Sequence, residues 1–207
     1  MELMEGLRGR RSIRKFKPDP VDEQDLEEIV RAGTLATNAE NAQMWYFVAV
    51  TNRELIRKAG DAVMLRIESL SKAMQTLGLG AAFGGEPFFL TFFRHAPAFI
   101  AVFTCPFVSG VERLHLGLNA AFNPPIPILP GQQSIGAAIQ NIALAAHGKG
   151  YGTTCMNGPV LAYREIAELL DVPEPWVLAA LMPIGRPAHQ PRARPHKPLE
   201  EVYRLIR

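Results

Sequence analysis

Apolar positions recur along the chain with two different periods, and these periods separate its helices from its strands. Leu26, Ile29 and Val30 fall three and four residues apart behind Asp22, whose carboxylate can accept from a free amide of the first turn. A capped amphipathic helix therefore starts there. Asn52 predicts the same kind of start for a long helix over 53–74. Residues 134–147 (SIGAAIQNIALAAH) are apolar almost all round and full of Ala and Gly, which predicts a central helix able to pack closely on a neighbour or a copy of itself. Gly148 and Gly150 stop it. Shorter helices are expected at 2–8, closed by Gly9, and at 163–170. Three runs rich in β-branched and aromatic residues, 46–51, 98–104 and 177–185, predict strands, with a shorter strand-like piece at 151–156.

Helices and strands alternate irregularly, without a clean series of βα units. That predicts an α+β fold: a mixed, mostly antiparallel central sheet flanked by helices, in a single domain over 1–207. Two stretches match neither period. Residues 77–97 are hinged by glycines, and eight of the eleven phenylalanines fall between Phe83 and Phe107. Such a segment reads as a mobile cover over an apolar site, or as a hydrophobic helix in the core or at a subunit interface. Residues 122–131 hold four prolines in ten, which excludes regular helix and central strand. The chain thus carries a variable insert at about 75–131 and a Pro- and Arg-rich C-terminal extension at about 187–207.

Composition narrows the function. With 48% hydrophobic and 20% charged residues, global disorder is excluded. Lys and Arg total 22 against 20 acidic residues, so the net charge of +2 argues against nucleic acid as a partner. A basic RNA-binding module built on RRSIRK and the Arg-rich tail would bind in a salt-sensitive way, and it is disfavoured on the same ground. The longest apolar stretch, 96–108, falls short of the roughly 20 residues that span a bilayer. The N-terminal residues have no signal-peptide core. Two cysteines, Cys105 and Cys155, fit a reducing compartment. A cytoplasmic protein with no membrane partner is expected.

Several chemistries lack their signatures. No GxGxxG follows a strand, and no P-loop, CxxC, HExxH or GxSxG is present, so no metal site is expected. Cys155 reads as a small residue on a buried strand. Catalysis by side chains alone is thus poorly supported, which directs attention to a cofactor. Arg10, Arg11 and Arg14 crowd three guanidinium groups and Ser12 into five residues. Arginine forks match phosphate oxygens. A second basic cluster, Arg192, Arg194, His196 and Lys197, lies at the other end, and the two would bracket a phosphate monoester if they met.

RRSIRKFKPDPV, then ATNAENAQMWYFVAV, GYGTTCMNGP, VLAALMPIGRP and RPHKPLEEV, occur in the order and spacing of the FMN-dependent nitroreductase family, which the chain resembles. The resemblance implies a nitroreductase-like fold in an intertwined homodimer with FMN as cofactor. It assigns Arg10, Arg11, Ser12 and Arg14 to the FMN phosphate and ribityl chain, and Thr37, Asn38, Asn41 and Gln43 to a block contributed by the partner subunit. Cys155, Met156, Asn157 and Gly158 match residues lining the flavin ring, with Asn157 or Gly158 as backbone donor to N5. Arg194 and His196 match the C-terminal basic pair on the phosphate. The sequence departs from the family at Thr37-Asn38, Met44 and His196, the last an imidazole where arginine or lysine is more usual.

The implied activity is a ping-pong hydride exchange at the flavin, from NADH or NADPH to a small electron acceptor of nitroaromatic, quinone or enone type. No side chain is obligatory for catalysis. Phe83, Phe88, Phe89, Phe92, Phe93 and Arg94 are the expected substrate cover. Alternatives are a flavin-binding protein without turnover, and a reductive dehalogenase or flavin-modifying branch of the same fold. The dehalogenase branch uses a Glu, a Tyr and a Lys in the lid. Glu86 is present, but no Tyr or Lys occurs between Gln75 and Gly131.

Overall fold

The computed structural model describes residues 2–79, 88–117 and 129–207. Its elements are α1 (Leu3–Gly9), α2 (Glu23–Thr34), β1 (Trp45–Val50), α3 (Arg53–Thr76), α4 (Phe88–Thr91), β2 (Ala98–Thr104), α5 (Gly110–Gly117), α6 (Pro130–Gly148), β3 (Gly152–Thr153), α7 (Tyr163–Leu169), β4 (Val177–Gly185) and α8 (Leu199–Val202). The four strands form one sheet in the order β1-β2-β4-β3, every neighbouring pair antiparallel. A single parallel bridge, Ser12 to Thr153, continues it beyond β3. The expected mixed, mostly antiparallel sheet is thus observed.

The sheet divides the core in two. Along β2 the side chains alternate: Ala98, Ile100 and Val102 face the layer of α2 and α6, while Phe99, Ala101 and Phe103 face the layer of α3 and α7. Strand β4 keeps this division through a change of register. Leu181 faces the Phe99 side and Ala180, Met182 and Ile184 the other, yet Leu178 also faces Phe103. The pairing slips between Val102 and Phe103, so that Ala180 opposes Val102 while Leu178 opposes Phe103. The extra residue, Ala179, is a bulge that resets the alternation.

Local signals decide the helix ends. The Asp22 carboxylate accepts from Asp25 N at 3.0 Å, and Asn52 Oδ1 accepts from Glu54 N and Leu55 N at 2.9 and 3.1 Å. Helix α6 starts a turn earlier than its apolar pattern, because Pro130 sits in the first turn, where a missing amide costs nothing. The end of the proline run therefore opens a helix. Its expected irregular part, 122–128, lies outside the described residues. Helix α5 carries a signal the apolar pattern does not contain: Ser109 Oγ accepts from Glu112 N at 3.2 Å and the Glu112 carboxylate accepts from Ser109 N at 2.8 Å. This is a reciprocal capping box.

The aromatic segment departs from the expected cover. Phe92 and Phe93 lie in a 3-10 turn and are buried in the core beside α3, Phe93 meeting Phe99 edge-to-face at 5.9 Å. Arg94 pairs with Asp61 at 2.8 Å rather than facing a ligand. These three serve the packing of α3 on β2. Phe89 is exposed, whereas Phe83, Glu86 and the side chain of Phe88 lie outside the described residues. Among the described residues no helix is long and apolar enough to cross a membrane.

Candidate active site

The two ends of the chain meet. After β4, Lys17 N donates to Arg186 O at 2.8 Å and Ala188 N donates to Lys15 O at 3.0 Å, with Phe16 bridged to Pro187. This short pairing carries the Arg-rich tail alongside the N-terminal run. The result is a groove of about 200 Å³ lined by Arg10, Arg11, Ser12, Arg14, Pro191, Arg192, Arg194 and His196. Five guanidinium groups, a hydroxyl and an imidazole converge, and among the described residues no carboxylate lines the groove. That donor set fits a phosphate monoester. Arg11 has further anchors, donating to the carbonyls of Arg8 and Arg10 at 2.6 and 2.9 Å at the end of α1.

The N-terminal run is held to the sheet where the next block begins. Ile13 N donates to Thr153 O at 2.9 Å, and Ile13 is buried against Gly152 so closely that a Cβ there would fall on its side chain. Glycine is therefore required at 152 by close approach. Two residues past Thr153 the chain reaches Cys155 and then Asn157, which line a larger groove of about 470 Å³ with Thr104, Gly131, Gln132, Ile135, Gly136, Ile139 and Ala179. Mostly apolar walls with a few polar groups (Thr104, Gln132 and Asn157) suit a flat aromatic ring.

The four residues 155–158 play different parts. Met156 is buried, and both its amide and its carbonyl pair with Leu181, so its backbone is committed to the sheet. The amides of Asn157 and Gly158 open a 3-10 turn and have no acceptor among the described residues. Cys155 corrects the expectation of a buried strand position: β3 ends at Thr153, and Cys155 is exposed at the groove. Protein atoms crowding its sulfur push the thiol above its ordinary range. Gly158 is covered by Leu90 of α4, which a Cβ at 158 would meet at 2.5 Å. The aromatic segment thus does reach this loop, through Leu90.

The 37–43 block stands apart. Thr37 and Asn38 line a separate groove of about 260 Å³ with Ala39, Pro130, Gln133 and Ser134. Asn38 Oδ1 accepts from Gln43 N at 2.8 Å, and Ser134 Oγ accepts from Ala39 N at 3.1 Å. Glu40, Asn41 and Gln43 all take left-handed backbone angles, φ 54°, 52° and 47°. Three nearby non-glycine residues thus hold a backbone conformation that L side chains seldom adopt. Glu40 also holds the start of α5, accepting from Gly110 N and from Arg113 at 3.3 Å, and these contacts lower its pKa, Gly110 contributing most. The Glu40–Arg113 pair beside this candidate block was not singled out by the sequence motifs. Asn41 and Gln43 line none of these three grooves.

Comparison with known proteins agrees with this architecture. The sequence model of the nitroreductase family matches residues 7–186, and the chain belongs to that family. A 5,6-dimethylbenzimidazole synthase of Rhodospirillum rubrum is 29% identical over 198 residues, covering 95% of this chain and 84% of the relative. The FMN reductase [NAD(P)H] of Bacillus subtilis is 25% identical over 204 residues, covering 97% of this chain and 72% of the relative. Among solved structures, a BluB-like flavoprotein from Clostridium difficile superposes with a TM-score of 0.86 at 26% identity, over 100% of both chains. The fold is nitroreductase-like.

Proposed function

We propose that the chain is an FMN-dependent oxidoreductase that takes reducing equivalents from NADH or NADPH and passes them to a small oxidised acceptor. The observation that carries this reading is the groove in which both chain ends gather arginines with no opposing carboxylate among the described residues. When bound, FMN supplies the centre that accepts and returns hydride. The protein binds and orients. Arg10, Arg11, Arg14, Arg192 and Arg194 hold the phosphate, with Ser12 donating a hydrogen bond. The open amides of Asn157 and Gly158 are the donors held for the ring, and Cys155, Ile135 and Ile139 wall the apolar slot. Thr37, Asn38, Asn41 and Gln43 reach the ring from a second copy of the chain, since within one chain the Thr37–Asn38 groove is a separate cavity from that of Cys155.

Anaerobic bleaching tests the reading. Purified protein should be yellow, and NADH or NADPH should bleach it without oxygen; a colourless protein that ignores added FMN would sink it. A second reading, fragmentation of the flavin, is favoured by similarity to the R. rubrum synthase and the BluB-like flavoprotein. The benzenoid half of the flavin ring and 5,6-dimethylbenzimidazole share the same dimethylated carbon framework. Admitting oxygen to the bleached protein separates the two: the reductase recovers its yellow colour, whereas fragmentation loses it and releases 5,6-dimethylbenzimidazole, read by mass spectrometry.

A further inference from the structure

Behind the phosphate groove lies a second, much smaller cavity of about 10 Å³, which shares Arg10 and Arg11 with it and is closed by His147, Ala143, Ile13, Tyr151, Gly152, Thr153, Pro187 and Gln190. His147 stands in the last turn of α6, its Nε2 3.0 Å from where a Cβ on Gly9 would be. The glycine that ends α1 therefore lets the imidazole press against the backbone immediately before Arg10. No hydrogen bond reaches the ring among the described residues. The surrounding elements supply few other charges. The N-terminal run offers Arg10 and Arg11, β3 and the tail offer the neutral Tyr151, Thr153 and Gln190, and Glu5 and Arg8 of α1 are exposed. Asp25 and Glu28 of α2 are taken up by Lys149, whose carbonyl accepts from Arg186.

The geometry points to His147 as a hidden member of the phosphate site: it takes up a proton from solvent when a phosphate dianion settles on Arg10 and Arg11, and returns it when the anion leaves. Partial burial, then the two guanidinium groups, hold the imidazole below its ordinary range while the groove has no anion. A dianion cancels the field of both arginines, and the C-terminal turn of α6 favours the imidazolium. By linkage, anything that raises this pKa binds more tightly as pH falls through the histidine range. The inference rests on the proposed FMN reading and adds a proton to it.

The test follows the His147 ring by NMR in the full chain, its resonance assigned with His147→Asn, through a pH titration without flavin, with riboflavin and with FMN. The midpoint without flavin is expected below the ordinary histidine value, unmoved by riboflavin and raised at least about half a unit by FMN. That half unit makes the affinity ratio of wild type to His147→Asn about twofold larger at pH 5.5 than at pH 7.5, rising toward about threefold at still lower pH. Calorimetry in buffers of different ionisation enthalpy should show more proton uptake on FMN binding in wild type than in His147→Asn, which removes the titration common to both. FMN binding with an unmoved midpoint, or an equal shift by riboflavin, overturns the proposal alone. A chain that takes up no FMN overturns the cofactor reading and this with it.

Discussion

At the scale of single residues, the structure sorts arginines and phenylalanines that look alike in the sequence. Arg94 is bound to Asp61, while Arg194 is exposed at the groove with the N-terminal cluster. Arg194→Ala is expected to weaken FMN binding about tenfold at low salt, the scale of one charge-assisted hydrogen bond, and less at high salt. Riboflavin affinity should stay unchanged. Fluorescence titration with both ligands checks this, and equal losses would place Arg194 away from the phosphate. Likewise Phe93 is fully buried and Phe89 is 59% exposed. Phe93→Ala should cost about 3–5 kcal/mol in denaturant unfolding, and Phe89→Ala clearly less. A motif reading could not make this distinction. Both rings fall in one irregular run, and what separates them is whether β2 brings Phe99 underneath.

At the scale of elements, whatever depends on neighbours in sequence was legible, and whatever depends on partners far along the chain was not. Asp22 and Asn52 mark their helices because a cap is a contact over two or three residues. The same kind of signal, Ser109 with Glu112, was present for α5 and lay outside the apolar pattern. By contrast, the pairing of 15–17 with 186–188, which joins the two basic clusters, leaves no local trace. One long-range tie has a titratable centre. Asp25 at the start of α2 accepts from Lys149 at 2.8 Å and from Tyr151 at 2.8 Å, and these bonds, Lys149 first, hold its carboxyl below the ordinary 3.8. A depressed carboxylate contributes stability that is present above its unfolded pKa and lost as pH falls through the folded one. The melting temperature of wild type should therefore exceed that of Asp25→Asn by a constant margin from pH 7 to pH 5, and the margin should shrink below about pH 4. A margin that ignores acid would remove Asp25 from the tie.

At the scale of the whole molecule, the proposed flavin site calls for a second copy of the chain. The groove beside Cys155 takes Gly131, Gln132, Ile135 and Gly136 from α6, while the groove beside Asn38 takes Pro130, Gln133 and Ser134 from the same turns. One helix thus separates two blocks that the resemblance assigns to one flavin. Its face at Gly136 is open: among the described residues nothing lies within 4 Å of where a Cβ on Gly136 would be. The C-terminal segment adds apolar surface that this chain does not cover, with Leu199, Val202, Tyr203, Leu205 and Ile206 each 57–79% exposed. A second copy packed on α6 would cover the first surface and bring the 37–43 turn to the ring. Gly136→Leu separates this from a monomeric site. Within one chain the leucine has room, and replacing glycine inside a helix gains about 0.5–1 kcal/mol, so unfolding should be no easier for the monomer. Against a packed copy the same side chain is a clash. Sedimentation equilibrium should show wild type as a dimer and Gly136→Leu shifted toward monomer, and this shift rather than FMN occupancy is the readout, because Gly136 also lines the groove beside Cys155. A variant that remains dimeric would move the subunit contact off this face of α6.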